Sequence, residues 1–319
     1  MEMRLIGIDG GGSKTDAVLC ADDGTVLARK IGGPSSPTSL SEAEVKACLS
    51  DLLEELLGPY GGLSARVDGI YAGISGGGLA RNREFLRGFL QSLMPGIGRQ
   101  DCGSDSVNAI SCVLAHGDGI VAIAETGTSV FARRQGVMHQ VGGWGHLLGD
   151  EGSGFDMGRM ALRAALLAWD GRGRSTMLTG LCAQRLAMPV QEGIDILYRG
   201  GRTLIASFAP CLLQAGEAGD EVAAGLCLEA ARALYEAILA ASRWLEMPVC
   251  PVVMAGSVWQ PGGYFERQIG AWLGEGFRLV RAKLPPVYGA AAEAARIAGI
   301  VVDADFEQRF AKTILSGGK

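Results

Sequence analysis

The chain has 319 residues, of which 48% are apolar and 20% charged, and its net charge of −5 comes with lysines and arginines dispersed along its length. That composition excludes a disordered or collagen-like chain and offers no basic face for nucleic acid. One hydrophobic core seldom serves so many residues, so two lobes with a cleft between them are expected.

No apolar run reaches the roughly eighteen residues of a membrane span. The N-terminus enters Arg4-Leu5-Ile6-Gly7-Ile8-Asp9 without a basic region, an apolar core and a cleavage site, and a cytoplasmic protein without membrane or nucleic-acid partners is expected. The eight cysteines contain no C-x-x-C pair, and most lie in apolar runs such as Ala17-Val18-Leu19-Cys20, the pattern of buried free thiols in a reducing compartment. His116, His139 and His146 follow no metal-ligand spacing.

In chain order, Leu5 to Ile8 reads as a strand that ends in Asp9-Gly10-Gly11-Gly12-Ser13-Lys14-Thr15-Asp16 and resumes at Ala17 to Cys20; Asp22-Asp23-Gly24 turns the chain into Thr25 to Ala28. Glu42 to Leu57 has helical spacing with Ser41 as its N-cap, and Gly69 to Gly76 reads as a buried strand ending in a glycine turn. Ser104 and Asp105 stand at the start of a helix running to Ala115. Then the opening pattern returns: Gly119 to Ala124, the turn Glu125-Thr126-Gly127-Thr128-Ser129, Val130 to Ala132, a turn at Arg134-Gln135-Gly136, and Val137-Met138. This is an internal repeat of strand, polar hairpin and strand that opens each half of the chain.

After the second copy, helices are predicted over Phe155–Trp169, Met177–Leu186, Val190–Tyr198, Leu204–Ala215 and Glu221–Leu245, a last strand over Pro251–Ala255, and an Ala-rich helix over Tyr288–Ala298. The class is α/β, with helices inserted in the second half.

Three stretches carry chemistry. The strand–Asp9-to-Thr15–strand order is unlike a Walker A loop, which leads into a helix, but its glycines free backbone N–H groups for phosphate oxygens. Lys14 and Thr15 add donors there, and Asp9 can hold Mg²⁺ through water. Thr126-Gly127-Thr128 has the composition of a matching clamp, so that two hairpins could grip one polyphosphate between the lobes. The third stretch, Gly142 to Ser153, packs five glycines into twelve residues around Trp144, Asp150 and Glu151. Ser153 and Asp156 resemble a capping box for the next helix, which leaves Trp144, Asp150 and Glu151 to face a ligand.

The tandem hairpins resemble the acetate kinase/sugar kinase/Hsp70/actin superfamily, a duplicated, two-lobed actin-like (ribonuclease H-like) fold. More narrowly, Gly142 to Ser153 and Ala255-Gly256-Ser257-Val258-Trp259 are similar to the N-acetylglucosamine kinase branch of the BadF/BadG/BcrA/BcrD ATPases, over essentially the whole chain. The resemblance implies an ATP- and Mg²⁺-dependent amino-sugar kinase, a homodimer, with Asp9 at the metal. Gly10, Gly11, Gly12, Ser13, Lys14 and Thr15 match its first phosphate loop, Thr126, Gly127 and Thr128 its second, and Gly256 and Ser257 its adenosine loop. Asp105 falls at the catalytic base, and Ser36, Ser75, Ser129, Gly143, Trp144 and Asp150 at the sugar site. It also divides the chain into an N-terminal lobe, 1–115, rejoined by 302–319, and a C-terminal lobe, 116–301.

The chain departs from that pattern at Glu125 and Ser129, where the second loop ordinarily has Gly and Asn, and at Ser35-Ser36-Pro37, where a sugar-contacting Asn is expected. These changes touch the identity of the sugar more than the nucleotide chemistry, so glucosamine, N-acetylmannosamine or a muramic acid compete with N-acetylglucosamine as substrate. An ATPase activator of a radical dehydratase or reductase is the other alternative. It would need cysteines in a ligand loop for an iron–sulfur cluster, and the eight cysteines here include no C-x-x-C pair. A sugar-sensing repressor on the same fold would carry a helix-turn-helix segment ahead of the first strand.

Overall fold

The computed structural model describes residues 3–314. The chain folds as two compact units, one of Met1–Gly117 with Ala282–Lys319 and a second of Asp118–Arg281.

The first unit is built on β1 (Arg4–Gly10), β2 (Thr15–Ala21), β3 (Val26–Gly32), β4 (Val67–Ile74) and β5 (Ile97–Gly103), in the order β3-β2-β1-β4-β5. β1 pairs antiparallel with β2 and parallel with β4, which puts the β1–β2 hairpin and the C-terminal end of β4 at one edge. The helix α1 (Glu42–Leu57) starts as the sequence predicts, with Ser41 and Glu44 forming a capping box. α2 (Ala80–Leu93) and β5, absent from the sequence reading, complete this half. β5 reads Ile-Gly-Arg-Gln-Asp-Cys-Gly, too polar to announce a strand, and is held by its parallel ladder to β4.

α3 (Asp105–Leu114) and α10 (Pro286–Ala298) pack on one another and α10 lies on β1 and β4. The small residues of α10 make this possible: Ala290, Ala291, Ala294 and Ala295 are buried, and a Cβ at Gly289 would stand 1.9 Å from the Asn108 carbonyl. The sequence places the second lobe boundary at 301/302, whereas the packing places it at 281/282, because α10 is part of the first unit's core rather than the second's. α11 (Ala304–Ile314) then packs against β3, where the Thr313 hydroxyl accepts the Val26 N–H at 2.9 Å. Residues 315–319, the rest of the predicted returning segment, lie outside the described residues.

The second unit repeats the order. β6 (Gly119–Ala124), β7 (Thr128–Arg134), β8 (Val137–Val141), β9 (Cys250–Ala255) and β10 (Phe277–Arg281) lie as β8-β7-β6-β9-β10, with the same two antiparallel and two parallel pairings. Thr128 and Ser129 belong to β7 rather than to the turn, and β10 follows the strand predicted as the last.

Between β8 and β9 run α4 (Gly154–Trp169), α5 (Leu178–Leu186), α6 (Ile194–Ala206), α7 (Ala209–Glu217) and α8 (Glu221–Leu245), and α9 (Tyr264–Leu273) follows β9. α8 has the predicted bounds, its buried side chains recurring from Ala223 through Cys227, Ala230, Leu234, Ile238 and Ala241 to Leu245 on one stripe. The Val190–Tyr198 and Leu204–Ala215 predictions are redrawn: Val190–Glu192 is a single 3₁₀ turn, α6 runs on to Ala206, and α7 begins at Ala209. All eight cysteines are free, and all but half-buried Cys48 are buried.

The α3–α10 interface closes around Glu293. It accepts from the Ser111 hydroxyl at 2.5 Å and Arg296 Nε at 2.7 Å, with His116 Nδ1 at 3.8 Å. Burial alone would raise its pKa, but the bonds from His116, Ser111 and Arg296 outweigh that and hold it at about 2. Its folded value lies below the unfolded one, so the stabilisation is complete above about pH 4.5 and disappears as pH falls through about 2. Glu293→Gln should therefore cost about 3 kcal/mol at pH 7 and progressively less below pH 4.5. Thermal melts of both proteins across that range test it, and a gap independent of pH would contradict the ionised form.

Candidate active site

The first hairpin of each unit, β1–β2 and β6–β7, is tied down by its carbonyls. In the first, Gly11 N–H closes the turn on the Lys14 carbonyl at 2.9 Å, the Gly10 carbonyl accepts Ser75 N–H at 2.8 Å, and the Gly11 carbonyl accepts Ser35 N–H at 3.1 Å. Gly12, Ser13 and Lys14 form an exposed tip. In the second, the Glu125 carbonyl accepts Gly154 N–H at 2.7 Å and the Thr126 carbonyl accepts Phe155 N–H at 3.1 Å. The first N–H groups of α4 thus fasten the β6–β7 turn.

Two carboxyls stand beside the first hairpin. Asp9, at the end of β1, accepts from Asn108 Nδ2 at 2.7 Å, and the same amide reaches the Gly73 carbonyl at 2.9 Å. Burial pushes the Asp9 pKa up to about 6, with Asp105 and Asp16 adding to it and the Asn108 bond and Lys14 opposing. Asp105 opens α3, next to the N-cap Ser104, whose hydroxyl donates to Asp105 Oδ1 at 2.9 Å and accepts Ser106 N–H at 3.3 Å. Burial raises the Asp105 pKa also, against hydrogen bonds from Ser104, the Ser106 backbone and Ser75. A carboxylate with raised proton affinity on a rigid helix start is suited to accept a hydroxyl proton.

Two predicted site residues of this unit turn inward. Thr15 is 0% exposed, its hydroxyl bonded to the Gly33 carbonyl at 2.7 Å and the Ser35 hydroxyl at 2.8 Å, so it anchors the hairpin and offers no side-chain donor to a phosphate. Ser36 is 2% exposed; its hydroxyl donates to the Ser75 carbonyl at 3.0 Å and pairs with Thr38 at 2.8 Å. It holds the Ser75 loop in place. The glycine loop's composition had offered Thr15 as a donor to phosphate, and the family resemblance had placed Ser36 at the sugar site.

In the second unit the predicted residues gather around the hairpin. Gly256, at φ +99°, lies so close that an added Cβ would meet the Ala124 carbonyl and Glu125 Cγ at 2.4 Å each. Val258 N–H donates to the Ala124 carbonyl at 3.0 Å, and buried Trp259 donates from Nε1 to the Ala122 carbonyl at 2.9 Å, which fastens the Gly256-Ser257 loop to the end of β6. Ser257 is exposed. The odd Glu125 therefore has its stem against Gly256 and is itself exposed. Buried Thr128 has a hydroxyl oxygen with no hydrogen-bond partner among the described residues.

The glycine-rich loop joins them. Gly143 rests on Ser129, Gln140 Nε2 holds the Gly142 and Gly143 carbonyls at 2.9 and 3.3 Å, and Gly149 packs against Trp144. Trp144 is 63% exposed, so its indole is no core residue. Ser153 caps α4 by accepting Asp156 N–H, and Asp156 returns the bond to Gly152 N–H, one residue earlier than a capping box would. Asp150 is 5% exposed and pairs with Arg202 at 2.9 Å. His146 lies edge-on to Phe155.

Asn108 and Arg202 escaped the sequence reading. Asn108 had a readable signal, because it lies three residues after Asp105 and so shares its helix face. Arg202 follows Gly200-Gly201 in the gap between the helices predicted over Val190–Tyr198 and Leu204–Ala215, where it carried no signal.

Residues 6–294 match the model of the BadF/BadG/BcrA/BcrD ATPase family. An N-acetylmuramic acid/N-acetylglucosamine kinase of Clostridium acetobutylicum is 35% identical over 260 residues, 80% of this chain and 85% of that protein. An N-acetyl-D-glucosamine kinase of Dictyostelium discoideum is 30% identical over 247 residues, 73% and 77% of the two chains. A crystal structure from Chromobacterium violaceum, of a candidate N-acetylglucosamine kinase, has a TM-score of 0.69 at 27% identity, covering 92% of this chain and 99% of that one.

Ser36→Ala removes the bond that holds the Ser75 loop and should cost about 1 kcal/mol of stability. We expect a lower Tm with the KM for an amino sugar within about twofold of wild type. An unchanged Tm with a raised KM would show that the hydroxyl faces the ligand.

Proposed function

The chain belongs to the BadF/BadG/BcrA/BcrD ATPase family, and we propose that it transfers the γ-phosphoryl group of ATP to the 6-hydroxyl of N-acetylglucosamine. The observation that carries this reading is the repeated hairpin, two turns of the same build with carbonyls tied away, together with a carboxyl at a helix start of the first unit whose proton affinity is raised. The names of the relatives support the substrate class.

In this reading Asp105 accepts the proton as O6 attacks the γ-phosphorus and the bond to the ADP oxygen breaks, and Ser75 and Ser104 orient its carboxyl. The Gly12-Ser13-Lys14 and Thr126-Gly127-Thr128 backbones receive phosphate oxygens, and the Gly256-Ser257 loop receives the adenosine. Trp144 offers an indole face to the sugar. Asp9 would hold Mg²⁺, which neutralises phosphate charge. The residues fit that ion: burial and two neighbouring carboxylates raise the Asp9 pKa, a field that favours a cation. Among the described residues no three His, Cys, Asp or Glu side chains form a metal cage, as befits an ion that takes most ligands from water and phosphate.

The side chains at the sugar site also favour a wider substrate range. Ser129 is shorter than the amide expected at its position, and Ser36 is turned inward, so bulkier hexosamines gain room. We therefore read N-acetylmuramic acid as a second substrate, in keeping with the Clostridium relative's name. A homodimer is part of the proposal on the family resemblance alone.

ADP release measured across a hexosamine panel tests the substrate. N-acetylglucosamine should lead in kcat/KM with N-acetylmuramic acid within about tenfold, a difference of about 1.4 kcal/mol. Glucosamine preferred tenfold over N-acetylglucosamine would overturn the assignment. Asp105→Asn should lower kcat by about 10²–10⁴ with little change in sugar affinity. More than a tenth of wild-type turnover would make Asp105 a helix cap only.

A further inference from the structure

α6 is interrupted at Gly201, where φ 57° and ψ −151° leave the helical region, and Arg202 comes next. Its Nη2 bonds Asp150 Oδ2 at 2.9 Å. Asp150 itself sits at φ +60°, a backbone that non-glycine residues seldom take. The pair lies against the second hairpin, where a Cβ at Gly127 would stand 3.0 Å from Asp150 Oδ2 and 3.3 Å from Arg202 Nη2. Three unusual positions, Gly127, Asp150 and Gly201, thus converge on one ion pair. Burying the Asp150 carboxylate carries a desolvation cost that its pairing with Arg202 has to offset, so stability alone accounts poorly for this convergence.

Charge supplies the missing reason. The turn Glu125-Thr126-Gly127 carries a carboxylate and no cation of its own, unlike the first hairpin with Lys14. Phosphate oxygens received at its backbone would gain from a cation held beside Gly127. The Arg202 side chain remains 43% exposed while that of Asp150 is 6% exposed, so the carboxylate is spent on orientation and the guanidinium keeps donors open.

We propose that Arg202 is a phosphate-contacting residue for the ATP-dependent transfer, and that Asp150 positions it against Gly127. The proposal rests on the nucleotide role read for this hairpin. Asp150 then acts on the nucleotide through Arg202, whatever its second oxygen contributes to the sugar.

The test compares wild type with R202A, R202Q, R202K and D150N, measuring kcat, the KM for ATP and the KM for N-acetylglucosamine separately, and ADP affinity by calorimetry. R202A and R202Q should lower kcat/KM for ATP by about 10–100-fold and weaken ADP, with the sugar KM within about twofold. R202Q keeps a side chain that can bond Asp150, so its loss reports charge rather than folding. R202K should recover part of the ATP effect, and D150N should show the same ATP effect in weaker form. A raised sugar KM with unchanged ATP parameters would overturn the proposal, making Arg202 a support for a sugar-binding Asp150, and unchanged values throughout would overturn it too, leaving the pair a structural one. If wild type transfers no phosphoryl group from ATP to any hexosamine, the underlying reading fails; if it does and R202A retains the wild-type KM for ATP, only the role of Arg202 fails.

Discussion

A backbone loop can receive phosphate only if its N–H groups point outward and its carbonyls do not compete. In both hairpins two carbonyls are tied to N–H groups from elsewhere: those of Gly10 and Gly11 to Ser75 and Ser35, those of Glu125 and Thr126 to Gly154 and Phe155. Much of the remaining architecture follows. The Ser75 loop must return to β1, which Ser36 secures, and α4 must begin at the second turn, which Ser153 and Asp156 secure. The glycine-rich loop must then pass between β8 and α4, and it does so with Asp150 brought against Gly127.

The same constraint explains the placement of charge. Asp9 and Asp105 lie near the first hairpin, where burial raises both pKa values and Asn108 restrains one of them. The helix α3 that carries Asp105 and Asn108 is locked to α10 by Glu293, so the stability of a buried network and the position of the proposed base are one problem. A protein of this build does little covalent chemistry of its own; its contribution is position and electrostatic field.

Features governed by local pattern were readable from the amino-acid sequence. The N-cap at Ser41, both glycine hairpins, the stripe of α8 and the internal repeat all depend on neighbours within a few residues, and the repeat emerges as two sheets of identical strand order. Features governed by tertiary packing were not. β5 and β10 exist because β4 and β9 template them, α10 belongs to the first unit because its alanines fit against β1 and β4, and Thr15 and Ser36 turn inward because Gly33, Ser35 and Ser75 offer partners there. Arg202 lies in the gap between two predicted helices, and only the fold brings it to Asp150.

The central claim is that the two hairpins deliver a phosphoryl group to a sugar hydroxyl rather than to water. Incubation with N-acetylglucosamine and ATP labelled with ¹⁸O in its γ-phosphoryl group, followed by mass spectrometry and phosphorus NMR, tests it directly. The account predicts the intact labelled phosphoryl group on O6 of the sugar, in amounts equal to the ADP formed. Label recovered only in inorganic phosphate, with the sugar unchanged, would contradict it.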